Sequence, residues 1–555
     1  MYVTATGGHV GSGAANAAIQ LTSALGACGS LPTSIVVNEL TSAAAAYALS
    51  GFAAPTGGTP SVSFQGKSPG LDQAFKTLTN LTVTGTGAFE TTGPEVNQTL
   101  VHQTLDTLAN AMAACDVSAT AGACAELFQC ATPNATFVAT GQPCAYPGTP
   151  ALATDTLSAA LAVTQNAGTI GLQGIFDVGT THGNPFSPVL AASPNDWTLP
   201  LVYSLSNYGP LAIDAAGHIW VLSVDPNPPV GTTNPSLTVI ELDANFNQLS
   251  PVATGWNGGG IKTFDKSDLT NLAIDVSGNV WIGGTSTLIV ELNSQGAPVA
   301  ANGWRTGGAG PDGTAGVAID SSGDAWFASG NTASTVFELN PAGMPLNPGG
   351  GFPASNCPCN GIAADPTGHI WTLGSSANYA ELAEIMSNGM QGSVLYPPGY
   401  YQDIYLNSIA ADAAGNLWLA DKHNHGVWEY TPSSNTWTGA TGGGPFPNIS
   451  ALNNASSPGK IAIDGAGHKW IANQSDVNTT PPASSVTELS ADGATNLSPT
   501  DGFGSGNIDG AYTVAIDGSG NVWVTAGGTS IAELVGAAAP TRNPIISGVK
   551  SGFAP

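Results

Sequence analysis

The sequence predicts a mainly β protein: a seven-bladed β-propeller preceded by a small, mostly α-helical N-terminal domain. Three observations predict it. The pattern Ala-(Ile/Ala)-Asp-x-x-Gly-x-x-Trp occurs seven times, with Asp at 214, 275, 320, 365, 412, 464 and 517 and Trp always six residues on. The copies recur at intervals of roughly 45 to 60 residues, so one supersecondary unit is repeated and the insertions fall in loops. Residues 1 to 190 contain no copy, carry Ala- and Leu-rich stretches at helical spacing, and form the first expected domain; residues 191 to 555 form the second.

Each unit parses in the same way. A short apolar strand ends in Asp, as in Leu272-Ala-Ile-Asp275, and a tight turn follows, Val276-Ser-Gly-Asn279. The Asp can accept backbone N–H bonds and the Gly supplies the positive φ of the exit. A second strand carries the Trp, a wedge large enough to fill the space between neighbouring sheets. A third strand ends on Glu241, Glu291, Glu338, Glu384, Glu429, Glu488 or Glu533, and a weaker fourth strand ends near a Gly-rich bend. Seven such four-stranded units make a propeller. Ring closure needs one terminus to complete a blade begun by the other. Either Leu201-Val-Tyr-Ser-Leu-Ser206 or Pro544-Ile-Ile-Ser-Gly548 can supply that strand.

In the first region the spacing of apolar residues predicts helices over 16–27, 34–49, 96–115 and 154–165, and 169–192 reads as a linker. The opening Met1-Tyr-Val-Thr-Ala-Thr6 reads as a strand able to join a sheet of its own or of a neighbouring copy. Five of the seven cysteines lie in this region; Cys115 with Cys124 and Cys130 with Cys144 are close enough to pair, although sequence alone does not fix connectivity.

Charged residues make up only 8% of the 555, with ten Lys and Arg against 37 Asp and Glu, a net charge of −27. Such a surface repels nucleic acid and anionic membranes, and no apolar run is long enough to span a bilayer. Neutral polymers, cations, a protein partner or self-association fit it better. Disulfide-capable cysteines and scarce lysine fit an extracellular or cell-surface protein whose export signal has been removed.

The seven cores resemble those of NHL-repeat propellers, and among them the virginiamycin B lyase-like (streptogramin lyase-like) group, over roughly 200–540. The segment Leu417-Trp-Leu-Ala-Asp-Lys-His-Asn-His-Gly-Val427 also resembles the NHL signature. The resemblance implies a propeller and, for the lyase group, His and Glu side chains with a divalent metal in the central funnel. The residues leading into the inner strands, from Tyr208-Gly-Pro210 to Ala511-Tyr-Thr513, include no His or Glu, so no catalytic residue of that group carries over to this chain.

His218, His369 and His468 occupy the turn position held elsewhere by Asn279, Asp324, Asn416 and Asn521, and read as turn residues. The candidate ligand-binding set lies on the rim of blade five. Tyr396, Tyr400, Tyr401, Asp403 and Tyr405 precede its inner strand; Asp421, His423 and His425 follow its second strand on the same face. Imidazoles with carboxylates suit a metal, and tyrosines with polar groups suit a sugar. Asn424-His425 also fits a purely structural NHL turn. Asp268, Asp312 and Asp509 sit near the same rim, where a solvated acidic edge is the plain reading. Cys357-Pro-Cys359 can close a local disulfide in the loop before blade four.

These features point first to an exported binding or structural module without catalysis. The alternatives are a metal-dependent lyase or hydrolase centred on the blade-five rim, and a self-assembling surface polymer. No cofactor is expected beyond a divalent cation such as Ca²⁺ or Mg²⁺.

Overall fold

The computed structural model describes the chain except residues 9–15, 27–31, 118–121, 206–207, 225–235, 264–270, 285–287, 306–313, 330–334, 348–349, 355–358, 377–378, 399–404, 440–445, 448–455, 476–483, 505, 509 and 544–555. Seven antiparallel sheets follow one another, each starting at an inner strand: Tyr208–Ile213, Asn271–Ile274, Thr314–Ile319, Cys359–Ala364, Leu406–Ala411, Ser456–Ile463 and Ala511–Ile516. Each inner strand packs against the next, and the last against the first, so the ring is closed. Closure comes from Pro200–Ser204, which pairs with Ser530–Leu534 as the outer strand of blade seven, Leu201 opposite Glu533. That is the first of the two strands the sequence offers; 544–548 lies outside the described residues.

The repeat explains itself at each turn. In all seven blades Oδ1 of the Asp accepts the backbone N–H groups two and four residues on, as with Asp365 and Thr367 (2.7 Å) and His369 (3.1 Å). The intervening glycines, from Gly217 at φ +81° to Gly520 at φ +89°, take the left-handed conformation that L residues avoid. Oδ2 of the same Asp accepts the indole N–H of the blade's Trp, at 2.8 Å for Trp371 and 3.2 Å for Trp470, with the other five between. The Trp stands directly opposite the third-strand Glu in every blade. The indoles are buried between blades, often against another ring, as Trp371 is against Tyr430 (5.8 Å).

Among its described residues the N-terminal region holds six α-helices: α1 (Glu39–Ala48), α2 (Gly70–Thr79), α3 (Gln98–Val117), α4 (Gly122–Cys130), α5 (Thr156–Gln165) and α6 (Leu172–Thr181). Helices are present within three of the four predicted stretches. The fourth, 16–27, contains instead the strand Gln20–Ala24, paired with Tyr2–Thr6 of the same chain. Gln20, Thr22 and Ser23 are buried and polar, and Thr22 and Gln20 find partners in Ser42 and Thr156 that a helix would not offer them. The predicted linker 169–192 contains α6. Its Ile175 and Val178 are buried, and Gly179 lies so close to α3 that a Cβ there would fall 2.3 Å from the Thr107 carbonyl oxygen. Cys115–Cys124 and Cys130–Cys144 are disulfides; Cys359 is buried, and Cys357 lies outside the described residues.

This helical region is welded to the ring. One buried apolar cluster runs from Tyr47 and Leu108 through Trp197 to Trp470 and Trp523. Ser50 Oγ donates to the Gly536 carbonyl (2.7 Å), and Asn97 brackets the closing strand through Pro200 O and Val202 N. Asn521 Nδ2 reaches both Glu533 (2.6 Å) and Thr77 of α2 (3.1 Å). Where α2 meets blade seven there is no room for a side chain: a Cβ on Gly70 would lie 2.0 Å from the Gly518 carbonyl oxygen. Gly70→Ala is therefore expected to lower stability by about 1–3 kcal/mol in denaturant titration, the usual range for overpacking. Gly122→Ala, where a Cβ meets nothing within 4 Å, serves as the neutral control, and equal effects from the two would contradict the docking.

Candidate functional site at the mouth of the ring

Of the predicted blade-five set, Tyr400, Tyr401 and Asp403 lie outside the described residues, as do Asp268, Asp312 and Asp509. Tyr396 and Tyr405 are described and exposed, at 42% and 45%. Asp421 is fully buried. Its Oδ1 accepts the N–H groups of His423 and Asn424 (3.1 Å each) and, more loosely, of Tyr405 (3.4 Å). Its Oδ2 accepts Asn424 Nδ2 (2.8 Å) and the Trp428 indole (3.3 Å). With five donors around it, this carboxylate ties the turn to the start of the inner strand and has little capacity left for a ligand. His423 is exposed, and His425 holds the left-handed corner of the turn at φ +52°. The structure thus brings Tyr405, Asp421 and His423 to one corner, with the two aromatic rings outward and the carboxylate inward.

The axis of the ring carries a cavity of about 210 Å³ walled by aliphatic side chains from blades two to seven. Six of the seven repeat alanines line it: Ala273, Ala318, Ala363, Ala410, Ala462 and Ala515. The repeat Ala therefore has a reason that periodicity did not reveal, since only a small side chain fits where seven strands converge. At the ends where the inner strands begin, a separate cleft of about 260 Å³ opens between blades six, seven and one, lined by Gln474, Tyr512, Thr525 and the glycines at 209, 510, 527 and 528. Among the described residues no charged side chain lines it. Tyr512 is 36% exposed, and its phenol is pushed above the usual tyrosine range by burial and then by the neighbouring Tyr405. The Tyr512 phenol therefore stays a neutral donor at this mouth.

Sequence reasoning missed a polar network on the opposite ends of the inner strands. In blades one, four, six and seven the turn residue four after the repeat Asp bonds the third-strand Glu, whereas Asn279 and Asn416 of blades two and five donate to the repeat Asp itself. His218, His369 and His468 each place Nδ1 on that Glu, at 3.0, 2.7 and 2.7 Å. A second indole, Trp256 or Trp304, donates to Glu241 or Glu291. Blade three departs: its turn residue is Asp324 and its outer strand offers Phe352 instead of Trp. Carboxylate oxygens of Asp320, Asp324 and Glu338 lie within 4.8 Å of one another. Burial, then Asp324 and Asp320, pushes Glu338 up to about 7. The signal was available in the sequence, because the residue four after Asp is always His, Asn or Asp.

A pH dependence follows. Glu338 ionises at an ordinary carboxylate value of 4.5 when unfolded and at about 7 when folded, so the folded chain binds more protons between those values and loses stability as pH rises through that window. The bond to Glu488 raises His468 as well, so its contribution is full below the ordinary histidine pKa and is lost as pH climbs through the folded value. Melting temperature measured against pH should fall on the alkaline side. Glu338→Gln should flatten the slope between about 4.5 and 7, and His468→Asn, the residue type of blades two, five and seven, should flatten it above the histidine range. Unchanged slopes would contradict the assignment.

No family model matches the chain, and no curated protein matches it. Solved structures do. A streptogramin B lyase matches at 14% identity and TM-score 0.43, over 60% of this chain and 97% of that one. Selenomethionine-substituted virginiamycin B lyase from Staphylococcus aureus matches at 14% and 0.43, over 60% and 99%. The extracellular domain of a putative one-component system from B. thetaiotaomicron matches at 13% and 0.39, over 59% and 38%. At such identities the likeness concerns the fold alone, which the ring closure establishes independently: the chain is a seven-bladed β-propeller similar in arrangement to the streptogramin lyases.

Proposed function

We propose that the chain is an extracellular binding module without catalysis, and that the mouth of its ring recognises a neutral, hydroxyl-rich polymer such as a polysaccharide. The observation that carries this reading is the cleft around Tyr512: uncharged polar groups, backbone of four glycines and neighbouring exposed tyrosines. Tyrosine faces stack on sugar C–H surfaces while Gln474 and Thr525 exchange hydrogen bonds with hydroxyls, the usual division of labour in a small-molecule site. The exposed rim tyrosines Tyr396 and Tyr405, with His423, extend the same platform around blade five. The repeat aspartates support a non-catalytic role because each is committed to its turn and its indole, and Nδ1 of His218, His369 and His468 is committed to a third-strand Glu. Two disulfides fit an extracellular setting, and among the described residues no helix is long and apolar enough to cross a membrane.

The test is titration calorimetry against soluble neutral polysaccharides, with Tyr405→Ala and Tyr512→Ala. Each substitution should weaken binding about tenfold, or about 1.4 kcal/mol, and leave the melting temperature unchanged. Absence of binding to any neutral polysaccharide, or binding indifferent to both substitutions, would overturn the reading.

A further inference from the structure

One level of the ring's axis carries a charge. Four residues before the repeat Asp stand Pro210, Asn271, Gly316, Gly361, Ser408, Lys460 and Thr513, one from each blade. Six are uncharged. Blade six alone places a cation there, one of only ten Lys and Arg in a chain of net charge −27. Lys460 stands one residue nearer the mouth than Ile461, which lines the axial cavity. The inner strands of blades five and seven pack on either side of its strand. On the blade-five side, Ser408 Oγ accepts the Ile461 N–H (3.2 Å) and Asn407 Nδ2 donates to the Pro458 carbonyl (3.3 Å).

Lys460 is enclosed by these three blades and yet only half-buried. With a strand on either side, its accessible surface faces the axis. Among the described residues it makes no ion pair. No acid is near enough to hold its charge, so burial alone pulls its amine below the usual lysine range. Lys469, enclosed in the same blade, shows the contrast. Asp412, Glu429, Asp464 and Asp492 all act on it, its Nζ donates to the Ala491 carbonyl, and it lies over the Trp418 ring. An ammonium withdrawn from water is costly unless paired. Lys469 has its partners within the chain, and Lys460 has an open axis in front of it.

We infer that the axis of the ring binds a short-chain aliphatic monocarboxylate, with its carboxylate on Lys460 and its alkyl group in the cavity beneath. One positive charge is matched by one negative charge, and a second would meet walls without a cation. The side chains around the cavity are Ala, Val and Ile throughout, which favours an alkyl tail over an inorganic ion. The volume of about 210 Å³ keeps the tail short, being below the roughly 300–1,000 Å³ of pockets for drug-sized ligands. The cavity shares no lining residue with the uncharged cleft around Tyr512, so this ligand and the polymer at the mouth are tested separately.

The experiment is calorimetric titration of the full chain with butyrate at low ionic strength, with 1-butanol as the probe lacking the charge and chloride as the probe lacking the tail. Butyrate should bind about tenfold more tightly than either, and should slow reductive methylation of Lys460 as read by peptide mass spectrometry. Lys460→Met keeps the side chain's length without its charge, and Lys460→Thr installs the residue type of blade seven. Each should weaken butyrate binding about tenfold, while the melting temperature holds or rises because an unpaired charge has been removed. If one variant unfolds, the other decides, together with protection of Lys460 in the unaltered chain. No butyrate binding, chloride binding as tight as that of butyrate, or butyrate binding that ignores the loss of the Lys460 charge would overturn the inference.

Discussion

One carboxylate per blade, buried in six blades and half-buried in the fifth, organises the ring. Each repeat Asp uses one oxygen to close a turn on two backbone amides and the other to anchor an indole six residues on. That indole is a large apolar body that sits between its blade and the next. A single side chain thus couples local chain reversal to the packing between blades. An asparagine could close the turn but would present an N–H where the indole N–H points, and a serine could not reach both partners. Hydrogen bonds to a charged acceptor in a buried setting are among the stronger ones, about 1.5–3 kcal/mol each, which is why this small motif can govern blades whose loops differ so much in length.

The cross-strand Glu is the second layer of the same device. It stands opposite the Trp in register, and its surroundings differ around the ring. Histidine bonds it in blades one, four and six and an amide in seven; in two and five the amide donates to the repeat Asp instead, and blade three places a second acid nearby. Blade seven goes furthest: Glu533 gathers Asn521, Tyr203 of the closing strand and Thr77 of α2. Ring closure and docking of the helical region therefore meet at one buried carboxyl. The blade that must be completed by a distant strand is also the blade braced by the N-terminal helices.

The sequence made the ring legible because Asp, Gly and Trp recur at fixed spacing and each has a turning or packing duty. It also pointed to the right closing strand, as one of two choices, and to both disulfides of the helical region. Less was legible where burial reverses the apparent pattern. Residues 16–27 look like a helix from Ala and Leu spacing, yet Gln20, Thr22 and Ser23 pair across a hairpin and beneath α1. Within 169–192, which reads as a linker, Gly179 lets α6 touch α3 and Gly174 lets it approach the Cys130–Cys144 disulfide. The functional signal was hardest to see. Asp421, part of the rim set in the sequence, also anchors a turn, whereas Gln474 and Tyr512 carried no motif, because their meaning comes only from the blades that meet around them.

The account rests on the claim that the repeat carboxylate and its indole act as one unit. A double-mutant cycle on Asp365→Asn and Trp371→Phe, read by denaturant titration, tests it most directly. Removing the indole N–H should cost far less once the carboxylate is gone, giving a coupling of about 1.5–3 kcal/mol. Effects that add within about 0.5 kcal/mol would show that the two side chains act independently, and that the repeat holds the ring together by some other means.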